Sequence, residues 1–218
     1  HESVKSFLVS LKKAIFGPQN SDILKFIEES SFPNIREGLD IFKLFLVSGY
    51  TEVDNYIMRQ TSNYDSSVPI PIWEFVKSVA LSNKKYYSDD RSIIFNLFNP
   101  ANNSNFIFLK IKILAILSER LYAHSYSERF IDYSELVGIF NEKGYSEKAI
   151  KAEIEMLVKS RLIETEDLLS DTELPLNSRD NVRLSIAKKG DYYYLSLMNT
   201  FTYLELTLQT TPIHSEEY

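Results

Sequence analysis

The chain has 218 residues, with 24 Lys and Arg against 30 Asp and Glu, a net charge of −6 and no cysteine. That length gives one large domain or two small ones with a real core, and 44% hydrophobic with 25% charged residues is a globular balance, not a disordered one. Without cysteine there is no disulfide scaffold, thiolate metal site, iron–sulfur cluster or cysteine nucleophile, which fits a reducing, cytoplasmic compartment; the acidic balance argues against a generally basic nucleic-acid coat, and 6 glycines disfavour Gly-rich nucleotide folds.

No stretch reads as a membrane span. The charge-free run Ser92 to Leu109 is broken by Asn96, Asn99, Pro100, Asn102, Asn103 and Asn105. Glu2, Lys5, Lys12 and Lys13 interrupt any signal-peptide core. His1 in place of Met reads as the start of a fragment or a cloned domain.

The N-terminal part is helical by its spacing. Val4, Phe7, Leu8, Leu11 and Ile15 share one stripe, which Gly17-Pro18 ends. Ser21 caps a short helix through Glu29, carrying Ile23, Leu24, Phe26 and Ile27. Asn34 caps the next, with Ile35, Leu39, Phe42 and Leu46 as its stripe, Ile41 and Phe45 widening it, and Ser48-Gly49 as its stop. Thr51 opens a further short helix with Val53, Tyr56 and Ile57. Gln60 to Pro71 is a polar connector. A helix through Trp73, Phe75, Val76, Val79 and Ala80 follows, then an irregular Asn-rich stretch, Lys84 to Asn105, with an apolar island from Ile93 to Phe98.

From Phe106 the order is specific. Ile107 to Leu121 is an apolar helix with Leu114 and Leu117 in its stripe. Asp132 caps Tyr133 to Lys143, and Gly144-Tyr145-Ser146 supplies a tight turn. Ser146 then caps a helix with Ile150, Ile154, Leu157 and Val158 in register, Ala149 being small enough for close packing. Leu162 to Thr165 and Val182 to Ile186 read as two strands around a polar loop, Leu168 to Asn181. The remainder is helical to about Gln209, with Tyr194, Leu197, Phe201, Leu204 and Leu208 stacked. The predicted fold is mainly α: a helical, lid-like subdomain over 1–63, a connector with one helix over 64–105, and a winged helix-turn-helix with a small β hairpin over 106–214.

Catalytic chemistry is not written in the chain. It contains no G-x-x-x-x-G-K-[ST], no G-x-G-x-x-G and no G-x-S-x-G. His1, His124 and His214 have no ligand or triad spacing, so no metal site and no catalytic residue is expected. The acid pairs Glu28-Glu29, Asp89-Asp90 and Glu216-Glu217 are sequence neighbours, and neighbours on a helix diverge by about 100°. Tyr192-Tyr193-Tyr194 reads as core packing in preference to a base-stacking surface.

Lys148, Lys151 and Lys159 are the candidate DNA contacts, on the presumed recognition helix. There Lys148, Lys151, Lys159 and Arg161 stand against Glu147, Glu153 and Glu155, four against three. The presumed wing sets two arginines, Arg179 and Arg183, against six acids, Glu164, Glu166, Asp167, Asp171, Glu173 and Asp180. Since phosphate neutralisation supplies most non-specific affinity, this wing disfavours DNA.

Two stretches carry a family resemblance. Phe32-Pro33-Asn34-Ile35-Arg36-Glu37-Gly38-Leu39 resembles the start of the lid helix in AAA+ and STAND-type P-loop ATPases, with Gly38 where alanine is usual. Val182 to Leu195, ending Ala187-Lys188-Lys189-Gly190-Asp191-Tyr192-Tyr193-Tyr194-Leu195, resembles the strand-then-helix ending of many winged helices. The order lid then winged helix is similar to initiator-type AAA+ proteins. The resemblance implies the C-terminal portion of an ATPase, with ATP and Mg held by a core that this chain lacks. Arg36 would then be the nucleotide-sensing arginine. The expected role is a non-catalytic regulatory and interaction module contacting its own ATPase core or another protein, with no membrane partner and oligomerisation left open. The alternative is a DNA-binding winged helix of an initiator- or regulator-type ATPase.

Overall fold

The computed structural model describes residues 21–51, 70–103, 105–123, 125–166 and 182–212, together with Lys5, Val9, Lys12, Phe16 and Gly17. The helix placed after Thr51, most of the connector, the loop 168–181 and all three histidines lie outside the described residues, as does most of the first helix. The described part is mainly helical with a small three-stranded antiparallel sheet. The chain divides into two compact units, 1–94 and 95–218. Residues 95–105, read from sequence as connector, thus fall in the second unit.

In the first unit, α1 (Ser21–Ser31), α2 (Ile35–Val47) and α3 (Ile72–Leu81) pack together. Asn34 caps α2 as its sequence predicts: its side-chain oxygen accepts from the Arg36 and Glu37 amides at 3.1 and 3.4 Å. Phe26 and Phe45 meet Phe75 with centroid distances of 5.7 and 4.8 Å. The buried face of α2 is Gly38, Ile41 and Phe45. The predicted stripe is displaced, because Ile35 and Leu39 are 81% and 63% exposed. Gly38 lies in close approach to α1: a Cβ there would stand 3.0 Å from Ser31 Oγ, so alanine would require the Ser31 side chain to give by a few tenths of an ångström. Beyond α3, Ser48 Oγ donates to Ser82 O at 2.8 Å and Tyr50 OH to Lys84 O at 2.8 Å, tying the end of α2 to the turn after α3.

The second unit runs α4 (Leu109–Leu121), β1 (Ile131–Asp132), α5 (Tyr133–Glu142), α6 (Glu147–Lys159), β2 (Ile163–Thr165), β3 (Arg183–Ile186), α7 (Lys188–Leu195) and α8 (Phe201–Thr207). The sheet order is β1-β3-β2, with Ile131 opposite Leu184 and Ile163 opposite Ile186. β1 escapes the sequence reading because two residues show no alternation. Gly144 turns the chain between α5 and α6 at φ +86°, a left-handed conformation that glycine adopts without penalty. Ser146 caps α6 by accepting from the Ala149 amide at 3.3 Å. Asp132 occupies the N-cap position of α5 without a side-chain cap bond; its carboxylate instead faces Arg183 Nε at 3.6 Å.

Leu114 and Leu117 of α4, with Ile154 and Leu157 of α6, are each 0% exposed. The predicted C-terminal helix is two helices joined by a single 3-10 turn, Leu197–Asn199. Thr200 restarts the chain by capping α8 through the Tyr203 amide at 3.3 Å. The inward face therefore carries Tyr193, Leu197, Tyr203 and Leu206, while Phe201 is 80% exposed.

Candidate functional site

The candidate site is α6 and the segment that crosses it. Residues 95–101 are held at one end by two buried tyrosines. The Phe95 amide donates to Tyr193 OH at 3.2 Å, and the Leu97 amide to Tyr203 OH at 2.9 Å. Tyr203 OH in turn donates to Phe95 O at 2.8 Å. Asn96, itself buried, donates through Nδ2 to Thr207 O at 3.1 Å and accepts through Oδ1 from the Phe98 amide at 2.8 Å. Of the apolar island, Ile94, Leu97 and Phe98 are buried. The tyrosine run proves to be packing at its centre: Tyr193 is fully buried, edge-on to Tyr203 at 6.2 Å.

At the other end the segment meets a buried ion pair. Lys110 Nζ of α4 lies 2.7 Å from Glu153 Oε2 of α6, with the side chains 1% and 0% exposed. Lys110 also donates to Asn99 O and stands over the Phe95 ring at 5.8 Å. Glu153 Oε1 accepts from the Ala101 amide at 2.8 Å. Two charges at full burial persist only as a pair with further hydrogen bonds, and the turn at residues 99–101 supplies those. Sequence reasoning placed Glu153 among the surface charges of α6. The available signal was its position beside Ile150, Ile154 and Leu157 on the apolar stripe.

With Glu153 withdrawn, the exposed charges of this helix and its end change. Lys148, Lys151, Lys159 and Arg161 then stand in the count against Glu147 and Glu155, four against two, with Lys151 and Glu155 half-buried. Lys148 and Lys159 are exposed, whereas Lys151 pairs with Glu147 one turn away at 2.5 Å. Lys148 and Lys151 are brought together in one open groove of about 510 Å³, whose wall includes Glu147, Ala152, Glu155 and, from the crossing segment, Asn102. Lys159 is not among its lining residues. Asn102 takes a left-handed backbone at φ 54°, tolerated by asparagine, and its side chain is exposed.

Of the presumed wing only its base is described. Arg183 of β3 reaches Glu166 through Nη1 at 3.1 Å and the Ser127 carbonyl through Nη2 at 2.7 Å. These contacts occupy Arg183 within the fold. At the start of α5, Tyr133 is buried and its hydroxyl has no hydrogen-bond partner among the described residues. Burial first, then the nearby carboxylates of Glu155 and Glu147, pushes this phenol up to about 12. In the first unit, Arg36 lies exposed in the opening turn of α2.

Among the described residues there is no cluster of three or more His, Asp or Glu placed to hold a metal, and no helix long and apolar enough to cross a membrane. Compared with protein-family models, curated proteins and solved structures, the chain matches none.

Proposed function

We propose that residues 95–218 are a winged helix-turn-helix used as a non-catalytic interaction module, and that its principal partner is a protein. The order α4, β1, α5, α6, β2, β3 supports the winged-helix reading, with the glycine turn between α5 and α6 and the β2–β3 connection where a wing lies. The choice of partner rests on one observation: the exposed face of α6 shares its groove with Asn102 of the chain itself. A helix of about 10–12 Å diameter fills a major groove about 12 Å wide, leaving no room for a second segment alongside. A groove of about 510 Å³ with both charge signs on its walls suits a protein segment carrying the complementary charges.

The resemblance extends the proposal to a parent protein. In a P-loop ATPase whose core holds ATP and Mg, the first unit is the helical lid and Arg36, at the capped start of α2, is the residue that reaches the nucleotide. The DNA-binding reading is the second one, favoured by exposed Lys148 and Lys159 and by the burial of Glu153.

Fluorescence anisotropy against duplex DNA separates the two. The protein-contact reading expects dissociation constants no tighter than about 10⁻⁶ M at physiological salt, the non-specific range. Sub-micromolar, sequence-selective binding that disappears on charge reversal of Lys148 and Lys151 would establish the DNA-binding reading instead.

A further inference from the structure

We infer that the Asn99–Asn103 turn is an intramolecular barrier on α6, which keeps that helix from seating in a duplex major groove, and that the Lys110–Glu153 pair holds the barrier shut. The inference rests on the proposed identity of α6 as a recognition helix and adds a regulated state to it. Three observations combine. The turn is tethered to the helix at Glu153 through the Ala101 amide, at 2.8 Å. The same pair reaches the turn a second time through Lys110 and the Asn99 carbonyl. Beyond these tethers Asn102 lines the same groove as Lys148, Lys151 and Ala152.

Over the whole length of α6, three lysines, Lys148, Lys151 and Lys159, stand against two glutamates left outside the core, Glu147 and Glu155, while the groove under the turn holds two of each sign and the small Ala152. The tethers are polar while the root of the segment is apolar, with Leu97 and Phe98 buried. Opening the turn lifts Pro100 and Ala101, which are themselves buried, while Leu97 and Phe98 keep its root in the core. Affinity for a duplex then scales with the fraction of molecules in which the turn is open.

The test removes the tethers while keeping the core. In Lys110→Met/Glu153→Leu the buried pair becomes apolar packing of similar size, a change that folded proteins commonly tolerate. The freed Ala101 amide then finds water only if the turn leaves α6. Hydrogen exchange at the Ala101 amide reads the opening, and anisotropy with a short fluorescein-labelled duplex reads the consequence. We expect faster Ala101 exchange and duplex affinity raised about tenfold or more over the wild type, the gain being lost when Lys148→Glu and Lys159→Glu are added. Faster exchange with unchanged affinity overturns the barrier and leaves the protein-contact reading standing. Exchange that is not accelerated also overturns it, because the pair then does not hold the turn. Sub-micromolar binding by the wild type overturns both readings together. If circular dichroism shows the double variant unfolded, Tyr203→Phe loosens the segment at its root, where Tyr203 OH bonds Phe95 and Leu97, and the same pair of measurements decides.

Discussion

Replacing Glu153 by alanine should destabilise the second unit more than its loss of side-chain volume implies. Lys110 and Glu153 lie 2.7 Å apart and are essentially inaccessible to water. Deleting the carboxylate strands an ammonium among Phe95, Ala101 and the α4–α6 contact, and removes the acceptor of the Ala101 amide. Breaking a buried pair from one side costs about 3–5 kcal/mol. An orphaned buried amide costs about 1–3 kcal/mol on its own, though the two losses overlap because the turn relaxes. Against a typical domain stability of about 5–15 kcal/mol, a loss of 3–5 removes a large share. Lys110→Met/Glu153→Leu should instead stay within about 2 kcal/mol of the wild type, because no charge is left uncompensated. Urea denaturation followed by circular dichroism at neutral pH compares the variants, with the slope checked for two-state behaviour. A loss below about 1 kcal/mol for Glu153→Ala, or a double variant as unstable as the single one, would refute the assignment of charge burial as the cause.

Leu157→Ala, at a fully buried position of α6, should cost about 2–5 kcal/mol in the same melt, and a loss under about 0.5 kcal/mol would remove that stripe from the core. Gly190→Ala should destabilise by at least the 1–3 kcal/mol or so of an overpacked core, since its Cβ would collide with the Leu162 carbonyl, a backbone atom that cannot step aside; a neutral result would show that α7 can shift away from β2. For Tyr133 the sign follows from its raised pKa: the unfolded phenol ionises near 10 while the folded one holds its proton to about 12, so its contribution to stability is complete below pH 10 and is lost between pH 10 and about 12. Tyr133→Phe should flatten that slope without reducing stability at pH 7, because the hydroxyl it removes is unsatisfied; a steep loss at neutral pH would reveal a partner for the hydroxyl. The chain by itself should show no ATP turnover, as no phosphate loop is present, and phosphate release abolished by Arg36→Ala would contradict this.

The sequence by itself fixes those features whose cause is local. Asn34 and Ser146 cap their helices because a side-chain oxygen within three residues of free amides is all a cap requires. Gly144 turns the chain because only its own backbone is involved, and Leu114, Leu117, Ile154 and Leu157 are legible as core from a 3.6-residue period. Tertiary contact decides the rest. The buried side of α2 is Gly38, Ile41 and Phe45 and not the stripe through Ile35 and Leu39, because that is the side on which Ser31 and Ile27 of α1 and Phe75 of α3 stand. β1 exists only because β3 returns beside it from far along the chain, setting Leu184 opposite Ile131 and Arg183 opposite Asp132. Glu153 reads as a solvated charge until Lys110, from a helix that sequence places elsewhere, meets it inside the core. The same meeting determines which face of α6 is left for a partner and where Asn102 stands beside it. A charge is assigned to surface or interior by the dielectric and the counter-charge around it, and those come from residues distant in sequence that only folding brings together.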